Sequence, residues 1–161
     1  MYNDATTTFL GNIPAGYAGL NWFWIDGKNY FRSVDAVKSE SSPLKALAKE
    51  EFSGRMFIYV ANFLSNPGEY GFSAPEASSI RLTSFLAAAG TPRISTTTVT
   101  VTATHNGNTH TASIVLSFGA ARQVTRVDDM PNIPEDVDSI IFSGFEGYLV
   151  MDDIVLCIVS K

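Results

Sequence analysis

The stretch "STTTVTVTATHNGNTHTASIVLSF", residues 95–118, decides the fold. Asn106-Gly107 is the preferred pair for a two-residue hairpin turn, in which both central residues take positive φ. With that turn, His105 faces Asn108, Ala103 faces His110, Val101 faces Ala112 and Val99 faces Ile114. One face of the ribbon then carries Val99, Val101, Ala103, Ala112, Ile114 and Leu116. The other carries Thr98, Thr100, Thr102, Thr104, Thr109, Thr111 and Ser113. So clean a division, obtained from the turn alone, predicts an antiparallel sheet with one face on a core and the other wet.

Outward from the hairpin, strands dominate. They read as "LNWFWI" (20–25), "RMFIYVANF" (55–63), "SIRLTSFLAA" (79–88), "DSIIFSG" (138–144) and "YLVMDDIVLCIV" (148–159). The segment "ARQVTRVDDMPNIPEDVDS" (121–139) holds room for one more strand and then an acidic, proline-bearing loop. One short helix is expected at "SSPLKALAKEEF", with Ser42 as N-cap, Pro43 as first residue and Gly54 just past the end. Many strands at turn-punctuated intervals predict an all-β fold, an antiparallel two-sheet jelly-roll sandwich. A closed barrel is the alternative. No repeat, low-complexity tract or linker divides the chain, so residues 1–161 read as a single β-sandwich domain.

The totals narrow the classes of partner. With 161 residues, 45% hydrophobic and 17% charged, the composition is that of an ordinary globular chain. A net charge of -5 argues against nucleic acid, whose phosphates would be repelled. No apolar run approaches the roughly 18 residues of a membrane span. The single cysteine, Cys157, lies in "DDIVLCIV" and reads as a buried, inert thiol. "MYNDATTT" has neither the basic start nor the apolar stretch of a signal peptide. A cytoplasmic protein fits this, and so does a secreted one whose signal peptide is absent from the chain.

Four pieces carry a resemblance. They are "IPAGYAGLNW" (13–22), "SSIRLTSFLAAAG" (78–90), the hairpin, and "DVDSIIFSGFEGYLVMDDIVL" (136–156). In this order the chain resembles a family of small, mostly secreted fungal β-sandwich proteins, with "GYAGLNW" the distinctive motif. Where that family often has an acidic pair before its first motif, "TTTFLGN" stands instead. The resemblance implies a jelly roll and a secretory origin. It implies either a carbohydrate-binding module or the subgroup associated with cofactor-free hetero-Diels–Alder cyclisation.

Candidate ligand-binding residues come from the aromatic strands. Alternation puts Trp22 and Trp24 on one face and Phe23 and Ile25 on the other. Both faces are apolar, so the tryptophans are either core or a platform for sugars or flat rings. Tyr17 and Asn21 lie close by in sequence and offer hydrogen bonds. In "MFIYVANFLSNPGEYGF" (56–72), Tyr59 and Asn62 stand on a second apolar strand. Tyr70 and Phe72, flanking Gly71, are expected in a loop as an aromatic wall over a pocket mouth. Arg81 is a further donor.

Metal chemistry has thinner support. His105 and His110 fall on one face as diagonal neighbours, roughly 7–8 Å apart at the backbone, without an evident third ligand. Asp128, Asp129, Glu135, Asp136 and Asp138 form one carboxylate group, Asp152 and Asp153 another. Such loops suit a structural calcium, although no D-x-D-x-D-G pattern is present. Their spacing selects no glycosidase pair. There is no G-x-S-x-G elbow, phosphate loop or dinucleotide fingerprint.

What survives is binding, or a reaction for which binding suffices. A pericyclase needs no cofactor, only an apolar cavity that holds its partners as near-attack conformers, with donors to polarise one of them. The first expectation is therefore an apolar small-molecule pocket with cyclase activity on a metabolite. The alternative is a lectin-like glycan binder without catalysis.

Overall fold

The computed structural model describes residues 16–25, 28–33, 56–62, 69–91, 96–117, 124–145 and 147–161. Among the described residues, a short 3₁₀ turn at Tyr17–Gly19 is followed by ten strands. They are β1 (Asn21–Ile25), β2 (Lys28–Ser33), β3 (Met56–Asn62), β4 (Glu69–Ser73) and β5 (Ser78–Gly90). Then follow β6 (Thr96–His105), β7 (Asn108–Ser117), β8 (Thr125–Val127), β9 (Ser139–Ser143) and β10 (Gly147–Ser160). One sheet has the order β1-β4-β9-β6-β7 and the other β2-β3-β10-β5-β8. Every pairing among these strands is antiparallel. The architecture is a two-sheet jelly-roll sandwich, as the strand spacing predicts. The helix expected over residues 42–54 lies outside the described residues.

The hairpin forms in the expected register. His105 pairs with Asn108, Ala103 with His110, Val101 with Ala112 and Val99 with Ile114. The whole apolar face, from Val99 to Leu116, is buried. Asn106 and Gly107 both take positive φ, at 48° and 77°, which the two-residue turn requires.

The two inner faces meet in an aromatic core. Phe142 on β9 stacks with Tyr70 at a centroid distance of 6.2 Å and meets Phe85 of the opposite sheet edge-on at 5.6 Å. Ile80, Ala87, Leu149 and Met151 close the core from the second sheet.

Two readings are corrected here. Cys157 is exposed rather than buried. A bulge in β10, with register shifts between Asp152 and Leu156 and Asp153 at φ 47°, changes which residues face inward. Before it Leu149 and Met151 face the core, and after it Ile154 and Leu156 do. Cys157 therefore lands on the outer face, opposite Arg81. The second correction concerns Tyr70 and Phe72. Both stand on strand β4 and are wholly buried, where a loop at a pocket mouth was expected.

Candidate functional site

The residues singled out by sequence divide among four places. Tyr17, Trp22, Tyr70 and Phe72 come together inside the sandwich. Trp22 is half-buried, 5.0 Å from the Phe72 ring and 6.1 Å from Tyr70, with Tyr17 at 6.2 Å on its other side. Its indole Nε1 donates to the Tyr17 carbonyl at 2.7 Å, so the one polar group of the ring is satisfied. Burial pushes the Tyr70 phenol well above its usual value, and its hydroxyl has no hydrogen-bond partner among the described residues. This cluster is the end of the core, not an open pocket wall.

Asn21 is exposed on the other side of β1, where its Nδ2 donates to the Ala74 carbonyl at 3.3 Å. Trp24, Tyr59 and Asn62 are placed as strand positions only, paired with Tyr70, Val150 and Gly147 respectively. Arg81 is committed to a bidentate ion pair with Asp136, at 2.8 and 3.0 Å, with Glu135 at 3.2 Å.

The acidic loop 128–138 is spent in similar ways. Asp138 accepts from Lys161 Nζ at 2.6 Å and from the Asn106 amide at 2.8 Å. It thereby ties the hairpin tip to the last residue of β10's extension. Among the described residues no three His, Cys, Asp or Glu side chains converge as a metal set. His105 Nε2 lies 3.0 Å from Asn106 Nδ2. A shallow cleft of about 160 Å³ separates β5 from this loop, floored by Val137 and Ile140 with Asp128, Asp129 and Glu135 at its rim. Pockets for drug-sized ligands run to about 300–1,000 Å³.

These ion pairs give a pH prediction. The bond from Arg81 holds Asp136, and the bond from Lys161 holds Asp138, below the usual carboxylate range. A depressed folded-state value stabilises the fold above the unfolded value, about pH 4, and that stability is lost as pH falls through the folded value. Thermal unfolding followed from neutral pH down through about pH 4 should show the midpoint falling below that point. Asp136→Asn with Asp138→Asn should flatten the fall. An equal slope in the double variant would place the acid sensitivity elsewhere.

Sequence reasoning passed over the outer face of the β1-β4-β9-β6-β7 sheet as a site. Its middle row runs Phe23, Gly71, Ile141, Thr102, Thr111, each paired with the next across the strands. Phe23 and Ile141 are half-exposed. The Phe23 ring lies over Gly71, with Cζ only 2.8 Å from where a Cβ would stand. A second row runs Asn21, Ser73, Ser139, Thr104, Thr109, and on the opposite flank stand Ser143, Thr100 and Ser113. Each flanking row lies about 7 Å from the middle one, two residues along the strand. Among the described residues no side-chain hydrogen bond engages these serine and threonine hydroxyls. Among the described residues Glu69 is the charged residue on this side, next to Gly71 in the alternation of β4. The signal that could have found the row was present in part. Phe23 opposes Trp22 in alternation, so a buried Trp22 sends Phe23 outward.

Among the described residues the geometry defines a β-sandwich with a hydroxyl-rich outer face that carries one carboxylate, Glu69, and an aromatic interior. No protein-family model matches the chain, and no curated protein matches it. Among solved structures it is similar to an exo-β-agarase at 11% identity and a TM-score of 0.53, covering 84% of this chain and 23% of that one. The chain thus spans about a quarter of the enzyme it matches, and the likeness is one of fold. A family 11 carbohydrate-binding module from Clostridium thermocellum, in complex with a β-1,3-1,4-mixed-linked tetrasaccharide, aligns at 14% identity and TM-score 0.45 over 89% of both chains. A carbohydrate-binding module bound to β-1,4-galactotriose aligns at 10% and 0.41, over 89% of this chain and 94% of that one. The described residues contain no helix long and apolar enough to cross a membrane.

Proposed function

We propose that the chain, read as one domain over residues 1–161, is a carbohydrate-binding sandwich without catalysis that takes a neutral glycan on its outer β1-β4-β9-β6-β7 face. The observation that carries this is the strip of Phe23, Gly71 and Ile141, flanked on one side by Asn21, Ser73 and Ser139 and on the other by Ile25, Glu69 and Ser143. A sugar ring presents C–H groups on its faces and hydroxyls at its edges. Laid along the strip, its faces meet Phe23 and Ile141 while its edges reach Ser139, Thr104, Ser143 and Thr100. The five strands give the row a length of about 19 Å, enough for a short oligosaccharide. Among the described residues this face offers the Glu69 carboxylate and no cation, which favours a neutral glycan over a sulfated or uronic one. Such a ligand suits the secretory origin that the resemblance implies.

The cyclase reading needs an enclosed apolar space. Where residues are described, Tyr70, Phe72, Phe85 and Phe142 occupy the region between the sheets, which favours the open face instead. The test is calorimetric titration with neutral and anionic oligosaccharides, beside apolar metabolites. Neutral oligosaccharides should bind, and Phe23→Ala should weaken them about tenfold or more, as the loss of a central aromatic anchor does. Its unfolding midpoint should move little, because the ring is half-exposed. Undiminished binding by Phe23→Ala would put the site elsewhere. Saturable binding of the metabolites alone would restore the cyclase reading.

A further inference from the structure

The two sheets end on four edge strands among the described residues, and three of them are blunted. β1 has five residues, β8 has three, and β2 carries Lys28 and Arg32. Short edges and edge charges are the usual protection against strand-to-strand pairing. β7 has neither. It runs ten residues, "NTHTASIVLS", without Lys, Arg, Asp, Glu or Pro, and pairs with β6 without a register shift.

Its open side has definite chemistry. The two-residue turn makes His105–Asn108 a hydrogen-bonded pair, so Ala103–His110, Val101–Ala112 and Val99–Ile114 bond likewise. The intervening residues point their backbone groups the other way. On β6 this is visible, because the Thr104 carbonyl accepts from the Asp138 amide on the β9 side. On β7 the same parity turns the N–H and C=O of Thr109, Thr111, Ser113 and Val115 toward the open edge. Val115, 62% exposed, is the most exposed large apolar side chain in the described structure.

We infer that β7 pairs antiparallel with β7 of a second copy of this chain across a two-fold axis at Ser113. In that register Ser113 faces the partner's Ser113, and Val115 faces the partner's Thr111. Each outward N–H meets a carbonyl, and Val115 is covered by a threonine methyl group. A second copy fits because the strand is self-complementary about Ser113 and carries no Lys, Arg, Asp or Glu, so two chains of net charge -5 can meet along it without like charges in contact. The joined sheets would also place two copies of the hydroxyl-rich face side by side.

Ser113→Pro tests this cleanly. It removes an N–H that points to the open edge and leaves the β6–β7 ladder its donors. By sedimentation across a wide concentration series, the wild-type chain should form a dimer. Ser113→Pro should weaken the dimer about tenfold or more, from the two hydrogen bonds lost across the axis. Ser113→Ala, which keeps the N–H, should dimerise like wild type. If the proline variant does not fold, Val115→Lys reads the same edge by setting a charge into it. A wild-type chain that stays monomeric throughout overturns the inference. So does a dimer that survives both edge substitutions.

Discussion

Phe142→Ala should cost about 3–5 kcal/mol of folding stability, the loss usual for a large aromatic truncated in a packed core. The ring is wholly buried at the centre of the interior, touching Tyr70 and Phe72 on its own sheet and Phe85 on the other. Three side chains would thus border the cavity. All three stand on β4 and β5, whose backbones are fixed by ladders, so collapse into the space is limited. Against a total of about 5–15 kcal/mol, this leaves a small margin. The midpoint of thermal unfolding should drop by roughly 6–20 °C, at about 2–4 °C per kcal/mol for a chain of this size. Val155→Ala, at a residue 49% exposed, should stay within about 0.5 kcal/mol. Denaturation of the two variants side by side checks this. Equal losses would mean that Phe142 does not join the two sheets.

Gly71→Ala should be as damaging, by a different route. A Cβ there would run into the Ile140 carbonyl oxygen and stand 2.8 Å from Phe23 Cζ. The carbonyl belongs to the β4–β9 ladder and cannot retreat without breaking strand pairing. The ring can move only by leaving the strip on which the glycan is proposed to rest. Overpacking of this kind costs typically 1–3 kcal/mol and more where backbone must shift, so we expect about 3 kcal/mol or above. Gly107→Ala is the informative comparison. Its φ of 77° is unfavourable for alanine, but nothing lies within 4 Å of the added carbon. That variant should lose only about 1–2 kcal/mol. If Gly107→Ala proves the worse, the close approach at Gly71 is not what the residue is for. Where Gly71→Ala folds, it should also bind neutral oligosaccharides more weakly, since Phe23 is displaced.

Gly71 also explains where sequence reading failed. Within "EYGFS" a glycine between two aromatics reads as a loop, because glycine weakens a strand locally. Its reason for being there is a ring from β1 and a carbonyl from β9, neither of them a neighbour in sequence. β2 was missed for a related cause. "KNYFRS" lacks clean alternation, and its place at a sheet edge relaxes the pattern a half-buried strand must keep.

By itself the sequence determined the hairpin, its register, its inner and outer faces, and through them the all-β sandwich. Alternation and a two-residue turn are local properties, and burial of one face leaves no second register. The structure alone decided which aromatics became core and which became surface. Trp22 and Phe23 share one short strand with two apolar sides, and only the packing of Phe72 and Tyr70 against Trp22 turned Phe23 outward. The Asp153 bulge did the same for Cys157. The row from Phe23 to Thr111 takes one residue from each of five strands, and only pairing between strands distant in sequence could draw it.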